Sequence, residues 1–269
     1  MKINLMYFSP TGTTKKVIKT FGETLSNALG RSEIKEMDFT LKKDRERMYS
    51  FSDKEMVVLG VPVYAGRVPN VLKEFLGHIQ GNGALGVAIV AFGNRSFDDA
   101  LVELRDIMKE DGFRVIGAGA FVGEHSFSRI LGKDRPLPQD LEEAEGFAQE
   151  IARKIKESLV EDNFTVQGEV PYRPYYTPRN MQGDAVNILK VKPKTSDDCI
   201  DCKLCVKLCP MGSISLEDPS HIPGICIKCG ACVKLCPVGA KYYDDLGFLG
   251  HKEQIETTFF EPKANQWFI

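Results

Sequence analysis

All eight cysteines of this 269-residue chain fall between Cys199 and Cys236, in two copies of one pattern. Cys199, Cys202, Cys205 and Cys209 form the first copy, and Pro210 follows. Cys226, Cys229, Cys232 and Cys236 form the second, followed by Pro237. Each reads C-x2-C-x2-C-x3-C-P, the run that binds a cubane 4Fe-4S cluster. Three thiolates at intervals of three wrap a tight loop around one cluster, and the fourth cysteine points away to ligate the other. The expected quartets are therefore Cys199, Cys202, Cys205 with Cys236, and Cys226, Cys229, Cys232 with Cys209. The proline after each run turns the chain where a missing N–H costs nothing. Structural zinc would use two CxxC pairs across a longer loop and needs neither the third cysteine nor the Cys-Pro. Disulfides call for a secretory context, and Met1–Phe8 has no signal-peptide core. The pattern sets one-electron chemistry, and eight thiolates without a signal peptide lead us to expect a reducing cytoplasm and, since exposed clusters are generally oxygen-sensitive, an anaerobic host.

Residues 1–165 contain no cysteine and alternate apolar runs with amphipathic ones. The runs are Ile3–Ser9, Met56–Tyr64, Leu85–Gly93 and Val115–Val122, with Ile34–Phe39 as a weaker edge strand. Between them, Val17, Ile18, Phe21, Leu25 and Leu29 recur at helical spacing, as do Leu101, Leu104, Ile107 and Met108. Continuous apolar strands alternating with helices predict an α/β fold, a five-stranded parallel sheet covered on both faces. A linker over 166–193 carries Pro171, Pro174 and Pro178 and reads as an extended, semi-rigid arm. The cysteine domain spans 194–245 as a small α+β unit. Residues 246–269 are too aromatic for a free tail and are expected to dock on the body. Hydrophobic content of 43% and a formal net charge of -2 give no electrostatic case for nucleic acid or an acidic membrane. No stretch approaches the ~20 apolar residues of a membrane span.

The loop Ser9-Pro10-Thr11-Gly12-Thr13-Thr14 follows the first strand and opens a helix. Open α/β sheets bind ligands beyond the carboxyl ends of their strands, and a helix N-terminus attracts an anion. Ser9, Thr11, Thr13 and Thr14 add hydroxyls, and Gly12 allows close backbone approach. Without a Gly-Lys-Ser/Thr sequence, the loop suits a terminal monophosphate better than a nucleoside triphosphate. A plain N-cap is the alternative. In a sheet ordered 2-1-3-4-5 two further loops, at 60–69 and 91–99, border the same ligand. Tyr64 and Phe97 offer flat faces there, and backbone groups around Gly66, Gly93 and Asn94 offer hydrogen bonds. Gly81–Gly86 fits GxGxxG literally but precedes a strand, so it reads as a turn. His125, after the fifth strand, stands as a ligand contact, a proton donor or a structural histidine.

With these motifs in place, the first 165 residues resemble flavodoxin and the cysteine part resembles a bacterial two-cluster ferredoxin. The whole is similar to the flavodoxin–ferredoxin fusion proteins of anaerobes. The resemblance implies FMN, with Ser9, Thr11, Gly12, Thr13 and Thr14 on its phosphate. It places Pro62, Val63, Tyr64, Ala65 and Gly66, and Phe92, Gly93, Asn94, Arg95, Phe97 and Asp98, about the isoalloxazine. The expected function is electron transfer among two 4Fe-4S clusters, FMN and an external redox protein. The alternative is an FMN-dependent reductase of a small molecule such as a quinone, a nitro compound or oxygen. Six lysines against seven acids in 194–245 suggest a near-neutral cluster domain, shaped for its own flavin.

Overall fold

The apolar runs become β1 (Lys2–Tyr7), β2 (Ile34–Asp38), β3 (Glu55–Pro62), β4 (Leu85–Phe92) and β5 (Arg114–Val122) in a computed structural model that describes residues 1–269. They pair in parallel in the expected order β2-β1-β3-β4-β5. Helices α1 (Thr13–Ala28), α2 (Asn70–Leu76) and α3 (Ala100–Glu110) make crossovers, a short 3-10 turn over Lys42–Glu46 joins β2 to β3, and α4 (Pro138–Lys156) follows β5. On one face, Val17, Ile18, Phe21 and Leu25 of α1 meet Phe147, Ala148 and Ile151 of α4. On the other, Leu72, Phe75, Leu101, Leu104 and Met108 of α2 and α3 are buried. Burying such a side chain contributes about 1.5–3 kcal/mol, so packing rather than propensity holds these helices. Strand order reverses beside β1, and the loops leaving β1 and β3 part there to open a crevice.

The cysteine segment follows. β6 (Lys194–Thr195) pairs antiparallel with β7 (Lys241–Tyr242), and the short helices α5 (Leu204–Leu208) and α6 (Ala231–Lys234) lie between them. The sheet then departs from the expected five strands. Beyond α7 (Leu246–Thr258), the chain returns to the first domain as β8 (Gln266–Phe268), antiparallel to β5. An open edge at β5 explains the addition, because unpaired edge groups recruit a strand. Asn265 secures it: its Oδ1 accepts from Val122 N at 2.8 Å, and its Nδ2 donates to Asp140 at 2.9 Å.

The proline arm is strapped down. Asp99, fully buried, accepts from the backbone N–H of Glu169 at 2.9 Å and of Arg173 at 2.7 Å, and pairs with the Arg173 guanidinium. These donors hold its carboxyl down at about 2, with the Arg173 side chain the largest cause. Arg67 lies 4.8 Å from the Tyr172 ring and 5.2 Å from that of Tyr175. Buried Glu103 anchors Arg67 at 2.7 Å. A charge at that depth is tolerated because it is paired on several sides.

Candidate functional site

Three cavities carry the chemistry. One, of about 380 Å³, is lined by Cys209, Cys226, Cys229 and Cys232. Another, of about 340 Å³, is lined by Cys199, Cys202, Cys205 and Cys236. The fourth cysteine of each run lines the other run's cavity. No three His, Cys, Asp or Glu side chains converge on a single-ion site. Four thiols spaced round a void suit a cluster core better than one tetrahedral zinc, whose bonds of about 2.3 Å draw sulfurs together.

The two quartets differ in surroundings. The Cys209 quartet, termed inner here, is walled by Ile214, Ile222, Ile227, Ala231 and Tyr243. Burial pushes the Cys232 thiol up to about 12 and raises that of Cys229 further. The outer quartet includes Cys202, which is exposed. Burial works to raise its Cys236, but backbone N–H groups of Val238, Lys241, Ala240 and Gly239 outweigh it and leave the thiol below its ordinary value. The seven acids of 194–245 all face solvent. Lys228 and Lys241, in contrast, are buried, and Lys234 pairs with Glu124 of the first domain. Lys194, Lys203 and Lys207 remain at the surface against those seven acids, so the exposed part of this segment carries net negative charge where the residue count alone is near neutral.

The third cavity is lined from both domains. It lies at the carboxyl ends of β1, β3, β4 and β5. Ser9, Thr11, Thr13 and Thr14 line one end, and Pro62, Val63 and Tyr64, with Phe92 and Gly93, line the rest. Gly12, at φ +86, turns the chain into α1, which has no side-chain cap. Ser9 closes the loop by accepting from Lys15 N at 2.9 Å, while the hydroxyls of Thr11, Thr13 and Thr14 take no partner in the chain. Free hydroxyls at a helix start whose Thr13 and Thr14 N–H groups have no acceptor in the chain fit a phosphate group.

Ala65, Gly66, Asn94, Arg95, Phe97 and Asp98 do not line this cavity, and each is engaged elsewhere. Phe97 is in the core, 5.5 Å from Phe92. Asn94 is buried and donates to the carbonyls of Phe259 at 2.7 Å and Glu261 at 3.0 Å, holding the tail. Arg95 pairs with Asp98 and lies 4.4 Å from the Tyr176 ring. The Ala65 carbonyl accepts from Tyr176 N at 2.8 Å, and the Gly66 carbonyl accepts from Asp99 N at 3.1 Å. Linker and tail therefore use the outer side of loops that the sequence alone aims at a ring. Tyr64 is left as the aromatic wall, and burial raises its hydroxyl pKa well above the ordinary range, with Cys229 and Cys226 adding to it.

His125, read from the sequence as a ligand contact, a proton donor or a structural histidine, lines the fourth side of the cavity with Gly123, Glu124 and Ser126; sequence reasoning missed Cys229, which joins them from the other domain. Cys229 lines the inner-quartet cavity as well. The neighbouring Gly230, at φ +76, has space for no side chain, since a Cβ would meet Ser126 O at 2.5 Å. Around this contact Lys234 donates to Ser128 O at 2.7 Å, and Arg129 donates to the Val233 and Lys234 carbonyls at 3.2 Å. Phe248 of α7 packs between Tyr243 at 4.0 Å and Phe127 at 4.7 Å, and so grips both domains. The His125 Nδ1 accepts from Phe127 N at 3.1 Å, which places the ring proton on Nε2. Burial, helped by Lys234, His251 and Arg95, pulls its pKa down to about 3. His251 is buried and structural, with Nδ1 facing Arg179 O at 3.0 Å. No helix is long and apolar enough to cross a membrane.

Comparison with known proteins divides the chain in the same place as its cysteines do. A family model described as a flavodoxin domain matches residues 4–123, and one described as a 4Fe-4S dicluster domain matches residues 198–240. Among solved structures, a flavodoxin from the domain Archaea is 19% identical, covering 58% of this chain and 99% of its own, at a TM-score of 0.42. A Streptococcus pneumonia TIGR4 flavodoxin is 18% identical, covering 57% and 99%, at 0.40. Two-electron reduced Megasphaera elsdenii flavodoxin is 17% identical, covering 55% and 98%, at 0.37. No curated protein matches the chain.

Proposed function

In a chain that joins a flavodoxin domain to a 4Fe-4S dicluster domain, we propose an electron carrier whose flavin site, inner quartet and outer quartet stand in series, with an external redox protein meeting the outer quartet. One observation carries this reading: Cys229 lines both the flavin-site cavity and the inner-quartet cavity. FMN supplies a carrier of one or two electrons, and each cluster a carrier of one. Ser9, Thr11, Thr13 and Thr14, with Gly12, would hold the phosphate end. Pro62, Val63 and Tyr64 would hold the ring, together with Phe92, Gly93 and His125. Tyr64 and the inner apolar wall exclude water from the junction, which helps set the potentials of what lies on either side. Exposed Cys202 and the net negative charge of the exposed part of this segment suit contact with a partner of basic surface.

A reductase of small molecules would need a proton donor beside the flavin. His125 has its proton on Nε2, but Glu124 is tied to Lys234, so the wall offers no acid–base pair. The series arrangement is therefore preferred. It is tested with Cys202→Ala in anaerobically loaded protein. The expected variant retains flavin and one cluster signal, still equilibrates electrons between them, and exchanges slowly with an external redox protein. Unchanged external exchange with the outer cluster gone would reverse or break the order.

A further inference from the structure

We propose that Lys241 is the counter-charge of the cysteine quartets, a buried cation that raises the reduction potentials of both clusters and of the outer one most. The proposal rests on the two-cluster reading of the quartets. Lys241 opens β7, is 3% exposed, and lines the outer-quartet cavity. Its ammonium donates to Thr195 Oγ1 at 2.7 Å and to the Pro219 carbonyl. Both acceptors are neutral, and no carboxylate lies within ion-pairing distance. An ammonium removed from water without an opposite charge is among the costliest groups a fold can bury.

The missing negative charge is adjacent. Lys241 shares the outer cavity with Cys199, Cys202, Cys205 and Cys236, and its strand β7 packs against α6, which carries Cys232 of the inner quartet, so the ammonium lies beside both sets. Only the outer cavity has Lys241 in its wall. A 4Fe-4S core held by four thiolates is negative overall, and reduction adds one more electron. A fixed buried cation stabilises the more negative state, and net charge near a cluster is a main determinant of its potential. The position is also sheltered from salt, because screening acts weakly on buried pairs. Lys203 offers a contrast on the same cavity wall: its ammonium pairs with Asp201 at 2.7 Å at the surface and is neutralised there.

The test is an EPR-monitored potentiometric titration of the full chain carrying FMN and both clusters. The variants are Lys241→Gln, which keeps a donor and removes the charge, and Lys241→Arg, which keeps the charge. The outer signal is assigned by its loss in Cys202→Ala. In Lys241→Gln the reduction constant of the outer cluster is expected to fall about tenfold, equivalent to about 59 mV for one electron. The inner cluster falls by less, and the flavin stays in place. Lys241→Arg stays near the parent values. If Gln fails to hold iron while Arg holds it, the same demand for positive charge has been read at loading, and the proposal stands. Unshifted cluster potentials in Gln, or loss of iron in both variants, would overturn it. A parent protein lacking two cluster signals would instead sink the two-cluster reading itself.

Discussion

Replacing Gly230 by alanine tests the contact between the domains at the point where it matters. Both cysteine runs hold a left-handed residue between their second and third cysteines: Lys203 at φ +58 in the outer run and Gly230 at φ +76 in the inner. The outer run accepts a side chain in that conformation, at a cost of roughly 1–2 kcal/mol. Backbone conformation alone therefore does not demand glycine at 230. The difference lies across the domain boundary, where an added Cβ would be 2.5 Å from Ser126 O and 3.3 Å from Ser126 C. Both are backbone atoms, which have no rotamer to escape into. Ordinary contact begins near 3.4 Å, so the flavin-side loop and the Cys229–Cys232 turn must part by close to an ångström. Overpacking of this kind costs about 1–3 kcal/mol. With the left-handed strain, Gly230→Ala removes roughly 2–5 kcal/mol from the junction. The assay is the rate of electron equilibration between flavin and clusters after rapid anaerobic reduction, alongside flavin and iron content. Gly230→Ala is expected to keep both cofactors and equilibrate more slowly. Lys203→Ala, the corresponding position in the outer run, should leave the rate alone. An unchanged rate in fully loaded Gly230→Ala would refute the reasoning that electrons cross at this contact.

Two other outcomes follow from the titrating groups. The Asp99 carboxyl, at about 2 against an ordinary 3.8, stabilises the strapped linker by about 2 kcal/mol. Because the folded value is the lower one, this contribution is complete above about pH 4 and is lost as pH falls through 2. Asp99→Asn at neutral pH should speed amide exchange at Glu169 and Arg173 roughly thirtyfold; acceleration spread evenly over the sheet would mean general destabilisation rather than a released strap. His125, with a pKa of about 3, should show the neutral Nε2–H tautomer by nitrogen NMR from pH 8 down to about 4. A midpoint near the usual 6.5 would contradict its enclosure.

The sheet was legible because strands buried on both faces announce themselves as unbroken apolar runs, and the strand order follows from the reversal that opens a ligand crevice. The cysteine motif assigns Cys209 to the second run and Cys236 to the first, and each lines the cavity of that run. The functions of Asn94 and Phe97 were not legible. Their loop has the right place and composition for a ring contact, but Phe97 is drawn into the core and Asn94 to carbonyls some 165 residues later in the chain. Contacts of that sequence separation leave no local signature. Cys229 in the flavin-site wall was equally hidden, since no pattern within either domain reports how the two pack. One signal was available: glycine in the inner run where the outer has lysine marks a surface that something presses against.

The return of β8 to the flavin domain ties together two assembly processes. Ala118 of β5 pairs with Phe268, about 150 residues later, and the cysteine segment lies wholly between them. Closing such a loop is slow compared with the local βα units that precede it. During synthesis the flavin domain can form most of its sheet with β5 as an open edge, a known hazard for misassociation. That edge is capped only after the ribosome has delivered both cysteine runs. Disorder left in the run by absent iron would then be felt at the far edge of a sheet that binds no iron at all. Chains starved of iron are therefore expected to leave the β5 edge open more often and to aggregate more than loaded ones, which light scattering of apo and loaded protein would read.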